Sequence, residues 1–260
     1  MSVQVAVVGA SGRLGRVVCQ VVDATSGFQL AKELGSNNSL DELAGVDLVV
    51  DVSLPGVSPK VVDAALEHGA KVLVGTSGWD ADKLDGLRKK LATLAGAGVM
   101  VVPNFSVGSV VGTHLATIAA HYFDSVEIIE AHHQGKVDSP SGTARNTAER
   151  IAEVRDAHGG VVAPYSNQTA RGDDIHGVSV HSMRLAGVVA QQEVIFGGTA
   201  ETLSIRHDTH SADAYRHGIA VAMKAVMDQE GLVVGLDQAL GLDAPVGVAD
   251  AASDPAEPGA

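Results

Sequence analysis

The sequence predicts an α/β protein: a parallel sheet in the N-terminal part, followed by a second α+β domain built on an open mixed sheet. Three observations carry this. An apolar β-branched strand, VQVAVV, runs directly into a glycine-rich turn, GASGRLG, and then into a helix. Strands and helices continue to alternate to about residue 108, the pattern of a parallel sheet covered on both faces. After about residue 124 runs of strands replace that alternation, with one long helix inserted, which suggests a second sheet.

Taken in order, the first turn carries Gly9, Gly12 and Gly15, the spacing of a Rossmann-type dinucleotide fingerprint in strand-turn-helix context. Gly9 permits the tight turn, Gly12 lets the backbone approach a pyrophosphate, and Gly15 lets the helix pack closely on the strand. The next strand, FQLAKEL, ends near Leu34 and runs on as Gly35-Ser36-Asn37-Asn38. No acid stands clearly at its tip to hold a ribose diol. Glu33 points to one side or the other of the alternating strand, and Ser36, Asn37, Asn38 and Arg13 offer donors for a 2′-phosphate. Either nicotinamide dinucleotide is open on these residues, with a lean toward NADPH.

Residues 47–53 read as a strand, 58–69 as a helix, 71–78 as a strand with a glycine-rich exit, 81–96 as a helix and 99–108 as a strand entering a second turn. Three strand exits, Asp51-Val52-Ser53, Gly75-Thr76-Ser77 and Pro103-Asn104-Phe105, then lie along the carboxyl edge, where such sheets bind ligands. In the second half VEIIEAHH, GVSVHSMRL, QEVIFGG and ETLSIRHD are strands, residues 143 to 157 a helix, and 211–228 a further helix that returns to the first domain. The domain reading is 1–104 plus 213–245 for the dinucleotide and 105–212 for substrate and oligomerisation, with hinges near Asn104–Ser106 and His210–Asp213. From about residue 246 the chain is acidic, Ala/Pro-rich and without periodicity, so 246–260 is read as a disordered tail.

Residues 130–143, EAHHQGKVDSPSGT, concentrate the chemistry. His132 and His133 end a strand, Lys136 follows, and Ser141 or Thr143 caps the next helix. Titratable imidazoles, an ammonium and free N–H groups at a helix start suit an anionic substrate that needs a proton. The formal charge of −13 argues against a nucleic-acid or anionic-membrane partner. Local positive charge would have to come from His132, His133, Lys136 and Arg184. The one cysteine, Cys19, has no partner within the chain, as expected of a reducing cytoplasm. No signal peptide or membrane-spanning run is apparent.

GASGRLG, VGTSG, VPNFSVG, EAHHQGKVDSPSGTA and VHSMRLAGVVAQQEVIFGG together resemble the dihydrodipicolinate (4-hydroxy-tetrahydrodipicolinate) reductases of bacterial lysine and diaminopimelate synthesis. The resemblance spans nearly the whole chain, in order, apart from the tail. It implies an NADPH- or NADH-dependent reduction of a cyclic, unsaturated dicarboxylic imine with loss of water, no metal, and a homotetramer assembled through the second sheet. It further implies that His132 is the catalytic acid and that Lys136 contacts a carboxylate and assists proton transfer. His133 becomes the neighbouring substrate-binding histidine, and Ser141, Gly142 and Thr143 hold the other carboxylate. Gly9, Ala10, Ser11, Gly12, Arg13 and Leu14, with Gly75, Thr76, Ser77, Val102, Pro103, Asn104 and Phe105, resemble the family's cofactor contacts. The chain departs from the pattern at Gln134-Gly135, where many relatives carry a further basic or histidine residue. It departs also at the acid-free end of the second strand, and at Asp51-Val52-Ser53-Leu54-Pro55, where relatives usually have a Phe-Thr or Phe-Ser pair. Two other readings are a different dinucleotide-dependent dehydrogenase of a small carbonyl or imine acid, and a nucleotide-sensing protein without turnover.

Overall fold

The computed structural model describes residues 2–242; the predicted tail lies outside the described residues. The first sheet has the order β11-β5-β4-β3-β1-β2 and is parallel at every pairing. Its strands are β1 (Val3–Val8), β2 (Phe28–Leu34), β3 (Leu48–Asp51), β4 (Lys71–Val74), β5 (Gly98–Val101) and β11 (Gly231–Val234). The central strands are short apolar runs because both faces are covered. The pleat divides them cleanly. Val5, Val7, Leu48, Val50, Leu73 and Met100 face one core with α1 (Arg13–Ala24) and α6 (Arg216–Met227). Ala6, Val8, Val49, Val72, Val74, Val99 and Val101 face the other, with α2 (Ser58–Glu67) and α3 (Ala81–Leu91). Ile219, Ala222, Met223 and Val226 supply the apolar stripe of α6, at the i, i+3, i+4, i+7 spacing of one helical face.

The second sheet has the order β10-β9-β6-β8-β7, with β6 (Ser125–His133), β7 (Asp173–Ile175), β8 (Val178–Leu185), β9 (Ala190–Gly198) and β10 (Glu201–Thr209). It is mixed: β6 and β8 run parallel, and the other pairings are antiparallel. Helices α4 (Val107–Ala119) and α5 (Gly142–Asp156) enclose a core with Val126, Ile128, Val180, Val194 and Phe196.

One α-helix and two strands are absent from the sequence reading. Helix α4 is built from VGSVVGTHLATIA, whose glycines and β-branched residues give it poor intrinsic propensity. Ser106 nevertheless caps it by accepting from the Ser109 amide at 3.3 Å, and packing on the second sheet overrides propensity. The strands β7 and β11 are three and four residues long, too short to show periodicity. The predicted strands at 47–53, 71–78 and 99–108 end earlier than expected, at Asp51, Val74 and Val101. Their remaining residues form the exit loops.

Candidate active site

The glycine turn is shaped by close approach. Gly9 has φ +88°, and a Cβ there would come within 2.5 Å of the Val52 carbonyl oxygen. A Cβ at Gly15 would lie 2.1 Å from the Gly9 carbonyl oxygen, so α1 sits directly on the turn. Helix α1 begins after Gly12 with neither a side-chain cap nor an acid in its first turn. Its first amides therefore remain open to an anion, and Ser11, Gly12 and Arg13 are exposed there. These residues fit a dinucleotide pyrophosphate. At the end of β2, Glu33 lies close enough to α1 for its charge to raise the Cys19 thiol. Asn38 folds over the following turn and accepts from the Gly35 amide at 2.9 Å.

Between this carboxyl edge and the second sheet lies a cavity of about 480 Å³. From the first sheet come Arg13, Leu14, Gly75, Pro103, Asn104 and Phe105; facing them are His132, His133, Lys136, Ser141 and Thr143. The two clusters singled out in the sequence thus meet across one space. Not every residue of the exits reaches it. Val102 is buried in the first core. Asp51 is fully buried, bonded by the Ser58 hydroxyl and by the Ser53 amide at 3.0 Å, so it braces the edge rather than facing a ligand. Gly9, Ala10, Ser11, Gly12, Thr76, Ser77 and Gly142 are not among the cavity's lining residues.

His132 and Glu130 lie two residues apart on the inner face of β6, the pleat aligning them. Glu130 is fully buried. It accepts two bonds from Arg184 on β8, at 3.0 and 2.9 Å, with His132 Nδ1 2.6 Å away and the Ser141 amide at 3.3 Å. Burial alone would raise its pKa, but hydrogen bonds from Arg184, Ser182 and His132 outweigh it and hold the carboxyl below the usual value. Burial pushes His132 down; Glu130 opposes this, while Lys136 and Arg184 add to it, and the imidazole lies below its ordinary range.

The expectation that Arg184 offers free positive charge to a ligand is corrected here. Its two Nη groups are taken by Glu130, by the Asp138 carbonyl at 2.6 Å and by the Met183 carbonyl at 2.7 Å, and its Nε is buried. Lys136 lines the cavity, where its ammonium meets Asp138 at 2.8 Å. Ser141 caps α5, accepting from the Ala144 amide at 3.2 Å, and its own amide is taken by Glu130. Gly142 and Thr143 thus present the open amides of that helix start. Asn104 reaches across from the first sheet to the Thr143 hydroxyl at 3.3 Å.

Other cavity residues escaped sequence reasoning. Gln192 on β9 donates to Thr147 at 3.0 Å. His207 on β10 meets the Ser106 hydroxyl at 3.2 Å, and burial lowers its pKa. Ser109 and Tyr215 also line the space. Glu130 had a signal in the sequence, the Glu-x-His spacing within one alternating strand; His207 and Gln192 had none beyond polar residues facing inward.

A parallel sheet with an open glycine turn, facing a titratable cluster on a second mixed sheet, defines a nicotinamide-dependent oxidoreductase. Family models narrow this. Residues 3–105 match "Dihydrodipicolinate reductase, N-terminus" and residues 108–240 match "Dihydrodipicolinate reductase, C-terminus", and the chain belongs to the dihydrodipicolinate reductase family. A 4-hydroxy-tetrahydrodipicolinate reductase from Clavibacter michiganensis subsp. michiganensis is 46% identical over 265 residues, covering 100% of this chain and 96% of its own. Among solved structures, dipicolinate-bound dihydrodipicolinate reductase from Paenisporosarcina sp. TG-14 superposes with a TM-score of 0.79 at 30% identity, covering 92% of this chain and 99% of that one. Scyllo-inositol dehydrogenase from Lactobacillus casei, with NAD(H) and scyllo-inositol bound, has a TM-score of 0.60 at 12% identity, covering 92% and 93%; that likeness shows the fold alone.

Proposed function

We propose that this chain reduces 4-hydroxy-tetrahydrodipicolinate to tetrahydrodipicolinate, with loss of water, in lysine and diaminopimelate synthesis. The observation that carries the reading is the convergence of His132, Lys136 and the α5 N-terminus on the cavity that Arg13 and Leu14 border from the glycine turn. A reduced nicotinamide, when bound, supplies the hydride. Its pyrophosphate would be held by the first amides of α1, beside Gly9 through Leu14, with the Gly75–Ser77 and Pro103–Phe105 exits available to the rest of the dinucleotide.

The chain's own groups bind, orient and protonate. One substrate carboxylate is held by the amides of Gly142 and Thr143 and the Thr143 hydroxyl, where the helix dipole favours an anion. Lys136 exchanges Asp138 for the other carboxylate, and His133 flanks it. His132 carries the proton at Nε2, aimed at the ring carbon that must gain hydrogen. A bound dianion favours the imidazolium, so substrate binding charges an acid that is neutral in the empty site. Residues 1–104 with 213–245 form the cofactor unit and 105–212 the substrate unit, turning on Asn104–Ser106 and His210–Asp213. Four copies assemble through the face of the second sheet that bears the exposed Met183 and Leu185. The enzyme works in the cytoplasm.

The cofactor reading favours NADPH, because Glu33 lies beside Cys19 and the Glu42 carboxylate at the β2 exit is already bonded by the Asn38 side chain and the Ser39 amide. The test supplies purified protein with the freshly formed condensation product of pyruvate and aspartate semialdehyde, following NADPH and NADH oxidation in parallel. Turnover with either carries the proposal, and its absence with both sinks it. An NADH preference above about tenfold, or about 1.4 kcal/mol, overturns the cofactor reading alone. His132→Gln should lower turnover by about 10² to 10⁴ with NADPH binding nearly unchanged. Wild-type turnover in that variant refutes His132 as the acid.

A further inference from the structure

We infer that Glu130 is a positioning residue for proton transfer, holding His132 with hydrogen on Nδ1 and presenting Nε2 to the substrate; this rests on the reading of His132 as the proton donor. Both oxygens of the Glu130 carboxylate are engaged. Oε2 faces His132 Nδ1 at 2.6 Å and Arg184 Nη1 at 3.0 Å, while Oε1 takes Arg184 Nη2 at 2.9 Å and the Ser141 amide at 3.3 Å. An ionised carboxylate only accepts, so the short contact to Nδ1 requires hydrogen on that nitrogen. The exchanging proton is then confined to Nε2. Arg184 keeps Glu130 ionised, and the carboxylate orients the imidazole without taking the proton.

A second consequence follows from Ser141. The group that registers the imidazole also receives the amide of the α5 cap. Glu130 therefore sets the separation between the proton donor and the helix start that holds a carboxylate. Preorganisation of this kind is what a catalytic pair needs to act on one substrate pose.

The charged groups facing His132 are Glu130 on its own strand, Arg184 on β8 and Lys136 on the loop; Ala190 stands opposite on β9, and α5 contributes Thr143. Only Glu130 raises the affinity of His132 for a proton. Removing its charge must therefore lower the imidazole pKa further and move the activity limb of His132 to lower pH.

The test combines kinetics of Glu130→Gln, His132→Gln and the double variant with ¹⁵N spectra of the full-length protein, His132 assigned by its loss in His132→Gln. In the wild type, Nδ1 should be protonated and Nε2 pyridine-like in the neutral ring. Glu130→Gln should lower kcat about tenfold or more with a small change in KM and unchanged NADPH binding, and shift the His132 limb to lower pH. On the His132→Gln background the same change should cost less than about twofold, because coupled residues are non-additive. Additive losses, an unshifted pH limb or a wild-type Nε2–H tautomer overturn the proposal. If Glu130→Gln fails to fold, the wild-type tautomer alone decides. Wild-type turnover in His132→Gln sinks the donor reading itself. Impaired His132→Gln with additive Glu130→Gln sinks only the positioning role.

Discussion

Arg184→Met removes two charged hydrogen bonds from a carboxylate with no access to water, while keeping much of the apolar stem. Breaking a buried ion pair from one side costs about 3–5 kcal/mol. The lower end applies here, since His132 and the Ser141 amide still bond Glu130. For a chain of this size about 3 kcal/mol corresponds to a fall in Tm of about 6–12 °C. The sign of the pH dependence is fixed by linkage. In the wild type the Glu130 pKa is depressed in the folded state, so its contribution is present above the ordinary carboxylate value of 4.5 and lost as pH falls through the folded value. Without Arg184, burial is no longer outweighed and the folded pKa moves up. The penalty should be full near pH ~8 and shrink toward pH ~5 as the folded carboxyl takes up its proton. Urea denaturation of both proteins at those two pH values measures it. A loss below about 1 kcal/mol, or one equal at both pH values, refutes the argument.

Lys136→Ala should raise KM by about 10- to 150-fold, the equivalent of a charged hydrogen bond worth about 1.5–3 kcal/mol, and slow turnover. Adding Asp138→Asn should recover part of the affinity in steady-state assays, since Asp138 meets Lys136 at 2.8 Å and would otherwise face the dianion unpaired. Dipicolinate binding near pH ~7.5 should take up close to one proton as His132 charges, measured by calorimetry in buffers of different ionisation enthalpy; no uptake would mean that the imidazole stays neutral. The Cys19 thiol is pushed up to about 11 by burial, Glu33 and Asp23. Its alkylation by iodoacetamide should be more than about 100-fold slower in native protein than in urea.

Contiguous apolar strands and the glycine turn were legible because each is a local pattern, and VEIIEAHH announced β6 by its alternation. Helix α4 was not, because its residues prefer other conformations and only tertiary packing makes them helical. The histidine loop declared its chemistry through residue types alone. What it could not declare was how its charges are distributed. Arg184 lies 54 residues from Glu130 in the chain, and only the parallel pairing of β6 with β8 brings them together. In sequence Arg184 reads as free charge, whereas in space it is neutralised. Glu130 read as one polar position of an alternating strand, yet it faces the core.

The order in which the ribosome delivers the parallel sheet differs from the order in which that sheet can be finished. Its edge strand β11 and covering helix α6 come from residues 216–234, after the whole second sheet has been made. Until then β5 has an open edge, and Leu73 and Met100 lack the cover of Ile219 and Met223. A nascent chain must therefore carry an unfinished layer through the synthesis of more than half its length, a state prone to edge pairing and aggregation. A fragment ending at residue 105 should bind hydrophobic dyes and precipitate. Joining residues 213–242 back to it through a short linker should keep it soluble, and equal solubility of the two would show that the first five strands close without their late-arriving cover.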